Sequence, residues 1–378
     1  MQIDYSKRIF GLDLMRAVAI MMVVCSHILW ITPNANGYIP DILSISGVMG
    51  VEIFFSLSGF LIGRILFRLY TSQSFSFKNV FYFWIRRWFR TLPNYYLALI
   101  ANILIAIYIG NQLPDGVWRY FFFLHNFATE MPWLFAESWS LSIEEFAYIL
   151  GPLLLYGILF IKTSIPRPKL FLAVTLLIIF MFLVSKLIYN HEETIRDMRH
   201  WSINVKAIVI YRIDAIYYGV LAAYISIVKP NFWRMMRFPA FFIGVIGLLS
   251  LNILIPRHQI FIGTHPQFWN VWYFVIKSIS ILLTLPLLST MKSAPKSILI
   301  PITYISILSY AMYVLHYSIV MQLMKHFMPT EAFAGLDIAV FIIVYFLLTL
   351  SLSYLLYQFY ERPLMNLRDK PVIKNHFK

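Results

Sequence analysis

The chain has 378 residues, 60% of them hydrophobic and only 13% charged, and its 31 Lys+Arg against 17 Asp+Glu leave a formal net charge of +14. Soluble proteins carry roughly 25% charged residues, so this composition excludes a soluble enzyme and describes a membrane protein. The positive excess, which in a soluble domain would suggest nucleic acid, reads here as a topology signal, because basic residues gather in cytoplasmic loops. The single cysteine, Cys25, excludes both a disulfide and a cysteine metal cage.

The first apolar run starts about ten residues in, is longer than a signal peptide's apolar region and lacks a small-residue cleavage site, so a retained span is expected. A spanning helix needs about 20 mostly apolar residues. Such runs occur at about 10–31, 46–69, 92–110, 138–161, 169–189, 207–228, 238–256, 270–290, 298–325 and 336–360. An all-α polytopic protein of about ten transmembrane helices is therefore expected, as one membrane domain with loops over 1–378. A basic aromatic stretch, Phe77 to Arg90, runs into the third span, and an interfacial position is one reading of it.

Placing the N-terminus in the cytoplasm sorts most basic residues inside: Lys7 and Arg8; Arg64, Arg68, Lys78, Arg86, Arg87 and Arg90; Lys162, Arg167 and Lys169; Lys229, Arg234 and Arg237; Lys292 and Lys296; and Arg362, Arg368, Lys370, Lys374 and Lys378. The outside segments keep Arg119, Lys186, Arg196, Arg199, Lys206, Arg257 and Lys325. Ten spans with both termini cytoplasmic satisfy this asymmetry.

A charge in the hydrocarbon region is costly and is paired or functional. The intramembrane ionisable residues are Asp13, Arg16, His27, Glu52, Glu144, Glu145, Arg212, Asp214, Lys277 and His316. On the first span, Arg16 and His27 are eleven residues apart, about 1100° of rotation and a rise of roughly 16 Å, so they share one helix face at two depths. Asp13 can pair with Arg16 on that face, and a structural salt bridge is the alternative to a catalytic stripe. With the topology above, Glu144, Glu145, Arg212, Asp214 and His316 fall near the depth of His27, in the outer part of the membrane. A polar network buried only for helix packing competes with an active site for this layer.

His and Glu within hydrogen-bond reach form a general base and its orienting partner. Zinc held by two histidines and two carboxylates ranks second, since no helical His-x-x-x-His or Glu-x-x-His pair is present. A nucleophilic serine ranks third: Ser56 and Ser58 lack a strand-to-helix elbow. On the basic side, Arg86, Arg87 and Arg90 lie among aromatics and suit the phosphates of a nucleotide-bearing donor, or anionic lipid headgroups.

The segment Arg8-Ile9-Phe10-Gly11-Leu12-Asp13-Leu14-Met15-Arg16-Ala17 followed by His27 resembles the opening signature of the integral-membrane acyltransferase family 3, an Arg and a His separated by ten residues in the first span. Gly50 to Ile62, Arg86 to Tyr95 and Trp139 to Tyr148 resemble further blocks of that family, with weaker echoes at Arg212 to Ala215, Ser309 to His316 and Tyr360 to Pro363. Glu52 and Ala147 depart from the usual pattern, and the chain ends soon after the tenth span, before the extra span and extracytoplasmic domain of larger relatives. The resemblance implies transfer of an acyl group, typically acetyl from cytoplasmic acetyl-CoA, to a hydroxyl of a glycan or glycolipid such as lipopolysaccharide O-antigen or exopolysaccharide. It also implies the cytoplasmic (inner) membrane of a bacterium, with membrane lipids as surroundings and no nucleic acid as partner.

In the mechanism expected on this basis, Arg86, Arg87 and Arg90 hold the CoA phosphates, the pantetheine arm passes Arg16 with its neighbour Asp13, and His27, oriented by Glu144, takes the sugar proton. Arg212 is a candidate oxyanion donor, and Glu145, Asp214 and His316 are supporting members of the polar layer. Transfer through a covalent acetyl-His27 and direct transfer both remain open, as does the oligomeric state. A transporter or flippase of a lipid-linked sugar is the alternative from another class. The outside residues His125, Trp133, His191, His200, His258 and His265 are of types that contact sugars or anchor interfaces.

Overall fold

The computed structural model describes residues 4–32, 37–192, 197–330, 333–368 and 370. Of the basic residues sorted by loop, Arg196, Lys374 and Lys378 lie outside the described residues.

Among the described residues every regular element is helical. Nine helices are long and apolar enough to cross a membrane: α1 (Phe10–Trp30), α2 (Tyr38–Thr71), α3 (Phe77–Tyr108), α4 (Ser138–Phe160), α5 (Arg167–Glu192), α7 (Arg237–Ile255), α8 (Phe268–Leu288), α9 (Lys296–Phe327) and α10 (Leu336–Arg368). The sixth expected span, α6, is broken: Met198–Lys206 and Val209–Val228 meet at 91°. The main difference from expectation is α3, one continuous helix that begins at Phe77 rather than near 92 and joins the basic aromatic stretch to the third span. A capping box starts it, with Ser76 and Asn79 bonding reciprocally. Pro93 is accommodated within it, as Pro is in helices whose neighbours take up the freed backbone groups. Two residues before the proline, Tyr310 Oη of α9 donates to the carbonyl of Thr91 at 2.6 Å, which ties α3 to α9.

The centre of the bundle is α1 packed on α2 and α9, with α6 against the other side of α2. Two glycines make the α2–α6 crossing close. A Cβ on Gly59 would lie 1.8 Å from the carbonyl oxygen of Ile216, and one on Gly219 would lie 2.2 Å from that of Ser56. Small residues at such a crossing let backbones approach where no hydrophobic drive separates helix from lipid. By contrast α7 turns Phe242, Ile243, Ile246, Leu249 and Ile253 outward, the apolar face a lipid-contacting helix presents.

Both histidines of the expected layer sit where regular α-geometry stops. α1 tightens to a 3-10 turn at His27–Trp30, and α9 widens to a π turn at His316–Met321. Changes of pitch of this kind re-aim side chains and recur at functional sites.

Candidate active site

The two histidines meet edge to face, ring centroids 4.7 Å apart. At the end of α1 the His27 backbone N–H bonds to the carbonyl of Cys25. The carbonyl of Val23 is thereby left to Ser26 Oγ (2.7 Å) and to His27 Nδ1 (2.9 Å). His316 Nδ1 lies 2.9 Å from the carbonyl of Tyr313 and 3.1 Å from that of Met312. A ring nitrogen facing a carbonyl must carry the proton, so the hydrogen-bond network assigns both rings as Nδ1–H tautomers. His316 Nε2, 3.2 Å from His27 Nδ1, is then an acceptor. His27 Nε2 is the basic ring nitrogen of the pair left without a partner among the described residues. Tyr317, the next residue in the π turn, has its ring centroid 4.5 Å from that of His27.

One turn before His316, Tyr313 reaches the wall of a cavity of about 810 Å³ lined by α1, α2, α3, α4 and α9. Arg16, Arg87 and Arg90 bring three guanidinium groups to it, and Glu144, Ser58, Tyr148, Ser140 and Tyr310 add polar groups. Helical spacing explains the arginine set, since residues 87, 90 and 91 share one face of α3. Arg86, 100° round from Arg87, is exposed instead and lies over the Tyr82 ring. Glu144 accepts from Tyr148 Oη at 3.0 Å, which leaves Ser58 to donate to that phenol oxygen at 2.5 Å. Arg16 also reaches Asp13 (3.3 Å) and Ser306 (3.1 Å). The closer partner of Asp13 is Arg8, which grips both carboxylate oxygens at 2.5 and 2.7 Å.

The expected single polar layer resolves into separate groups. No hydrogen bond joins Glu144 to His27: the bonds of His27 go to Val23, Ser26 and His316, and that of Glu144 to Tyr148. Glu145 points to the other side of α4, bonded to Thr91 (2.8 Å) and Trp88 (3.2 Å). Arg212 pairs with Glu52 and lies over the Phe274 ring at 3.5 Å, and Asp214 pairs with Lys186. These are fully buried ion pairs between α2 and α6 and between α5 and α6, and Arg212 does not line the cavity. Lys277 donates to Tyr273 at 2.6 Å. Among the described residues no three His, Cys, Asp or Glu side chains converge as metal ligands.

Two further buried polar residues, neither expected as a site member, lie at the start of α4, and one of them bonds the π turn that carries His316. Glu137, the residue before α4, accepts from the backbone N–H (2.8 Å) and hydroxyl (2.9 Å) of Ser318. Its carbonyl accepts from Tyr313 Oη at 3.1 Å. Burial pushes its carboxyl up to about 7, against the lowering by those Ser318 bonds. His125 is buried, stacks on Tyr120 at 4.0 Å and bonds Ser138 Oγ at 2.9 Å, and burial holds it down at about 3, a neutral structural imidazole. The only cue to Glu137 in the sequence was an acid at the boundary of an apolar run, which ordinarily signals a helix start.

A model of the family described as "Acyltransferase domain" matches residues 9–358. "Peptidoglycan O-acetyltransferase OatA" of Listeria monocytogenes is 30% identical over 191 residues, covering 46% of this chain and 28% of that protein. The Bacillus subtilis protein named "Putative peptidoglycan O-acetyltransferase YrhL" is 29% identical over 207 residues, covering 50% of this chain and 30% of that protein. The chain thus matches under a third of the length of these relatives. No solved structure matches.

Proposed function

The chain belongs to acyltransferase family 3, and from that membership we propose that it is a membrane O-acyltransferase moving an acetyl or other short acyl group from acyl-CoA to a hydroxyl of a glycan or lipid-linked saccharide. The observation that carries the reading is the histidine pair. His27 Nε2 presents a free lone pair, while its Nδ1–H is held by Val23 and faces the His316 acceptor. An imidazole so held takes a proton on Nε2, and the charge it gains is shared with its Nδ1 partners.

In this reading the cavity receives the donor. Arg87 and Arg90 take the phosphates of CoA, with Arg16 deeper along the thioester arm, because guanidinium groups match phosphate oxygens bidentately. Arg86, outside the cavity, has no part in holding the donor. Glu144 with Tyr148 and Ser58 shapes the cavity wall and balances the arginines; it does not orient the base. The acceptor hydroxyl gives its proton to His27 Nε2 as its oxygen attacks the thioester carbonyl carbon. The C–S bond then breaks and the thiolate leaves, taking up the proton from the imidazolium. The sorting of basic residues by loop supports a cytoplasmic donor side and an outer His27 side in a bacterial inner membrane. Peptidoglycan, the polymer in the names of the two relatives above, joins O-antigen and exopolysaccharide among the acceptors to be assayed.

The test is acyl transfer by purified protein from labelled acetyl-CoA to saccharide. Incorporation by the wild type and its loss in His27→Ala are expected. A protein that transports a lipid-linked sugar without ever labelling it would overturn the reading.

A further inference from the structure

A second cavity, of about 430 Å³, lies beyond the histidine pair, between the last turns of α3, the loop before α4 and the π turn of α9. Its polar wall is Asn102, Asn111, Trp133, Tyr317, Ser318 and Gln322; the rest is aliphatic, and no lining side chain is charged. It shares no lining residue with the arginine-bearing cavity. Along α9, Tyr313 lines the first cavity, His316 faces His27, and Tyr317 lines the second with its ring against His27. The histidine pair, which itself lines neither cavity, therefore lies behind the stretch of α9 that separates a cationic chamber from a neutral one.

We propose that the second cavity is the acceptor subsite and that it takes a neutral pyranose unit of a saccharide. This rests on the acyltransferase reading above. The hydrogen-bond polarity of the wall supports neutrality. Ser318 spends its hydroxyl proton on Glu137 at 2.9 Å, so its oxygen faces outward as an acceptor. Asn102 donates one N–H to the carbonyl of Ala98 at 2.8 Å, which orients its amide and leaves Oδ1 to accept and the second N–H to donate. Acceptors fixed in this way suit the O–H donors of a sugar and oppose a carboxylate or phosphate, which would also enter without a cation to offset its desolvation. Trp133, 52% exposed, offers an indole face on which the C–H face of a pyranose stacks, and the amides of Asn111 and Gln322 each supply a donor and an acceptor for neighbouring hydroxyls.

The experiment uses the full-length purified protein with three probes: a glucose trisaccharide, an N-acetylglucosamine trisaccharide and a glucuronic acid trisaccharide. Binding is followed by saturation-transfer NMR without donor, and acyl transfer with labelled acetyl-CoA. At least one neutral probe should bind and be acylated, with the uronic acid weaker by about tenfold or more. Trp133→Ala and Asn102→Ala should each raise the acceptor KM by about tenfold or more while the donor KM stays put. Trp118→Ala, an exposed aromatic of the same loop outside the cavity, should change neither. Acyl transfer with an unchanged acceptor KM in both cavity variants, or a preference for the uronic acid, overturns the subsite and leaves the acyltransferase reading standing. Binding of a neutral probe that Trp133→Ala abolishes, with no acyl transfer by any form, supports the subsite and overturns that reading. No binding of any neutral probe overturns the subsite.

Discussion

The two histidines differ in what their substitution removes, and this separates the base from its support. His27→Ala takes away the one ring nitrogen of the pair with a free lone pair, and loss of a general base costs about 10²–10⁴ in rate. His316→Phe keeps a ring of similar size in the fully buried site; besides the local Nδ1–H bonds to the carbonyls of Tyr313 and Met312, it removes the Nε2 acceptor 3.2 Å from His27 Nδ1, the one hydrogen-bond contact it makes to the base. His27 retains its 2.9 Å bond to the carbonyl of Val23, so the tautomer survives. The loss felt by His27 is one neutral hydrogen bond, about 0.5–1.5 kcal/mol, or about two- to tenfold in rate. The assay is initial-rate acyl transfer by purified variants that match the wild type in detergent melting temperature, over a range of acceptor concentrations. His316→Phe losing as much rate as His27→Ala, with kcat rather than KM affected, would refute the assignment of His27 as the base and move it to His316.

Arg87→Ala and Arg90→Ala should each raise the donor KM by about tenfold or more, the scale of a charge-assisted hydrogen bond, whereas Arg86→Ala, pointing off the cavity, should stay within about threefold; equal effects at all three positions would reject the cavity as the phosphate site. Arg212→Met leaves Glu52 buried and unpaired and should lower stability by about 3–5 kcal/mol, while adding Glu52→Leu should restore most of it, read as detergent melting temperature; a silent single variant contradicts a structural ion pair. Gly59→Leu forces α2 off α6 at a contact where even a Cβ would sit 1.8 Å from a carbonyl oxygen, and yields of folded protein should fall sharply, against little change for Gly157→Ala, whose surroundings are open. Glu137, held at about 7 against an ordinary 4.5, is protonated in the folded state over a window where the unfolded chain has lost that proton. Its contribution to stability is therefore full below about pH 4.5 and declines as pH rises through 7, by roughly 3 kcal/mol in total. Glu137→Gln should flatten the fall in melting temperature between pH 5 and 8, and an unchanged slope would place the titration elsewhere.

What was legible in this sequence divides along a physical line between depth and azimuth. Depth follows from apolar run length and the sorting of basic loops. The spans α1, α2, α4, α5 and α7 to α10 accordingly appear close to their expected positions, and His27 and His316 do lie together. Azimuth, the rotation of each helix toward one neighbour or another, depends on packing that no single run encodes. Glu144 was expected on His27 at a matching depth, yet α4 turns it toward Tyr148 and the arginines, and carries Glu145 to Trp88 and Thr91. Arg212 and Asp214, two residues apart, face different helices and find Glu52 and Lys186, partners 160 and 28 positions away.

The start of α3 was missed for a related reason. Its first turns are too basic to pass as lipid-facing, and the cavity that Arg87 and Arg90 share with Glu144 of α4 makes it favourable to carry them on a continuous helix. The sign of a buried residue's partner can be read from a sequence, but the helix that supplies it cannot. A candidate site drawn from depth alone therefore gathers structural ion pairs together with chemistry. The two are separated here by place and partner: the paired Glu52–Arg212 and Lys186–Asp214 line neither cavity, whereas His27, its Nε2 without a partner among the described residues, packs on Tyr317, which lines the second.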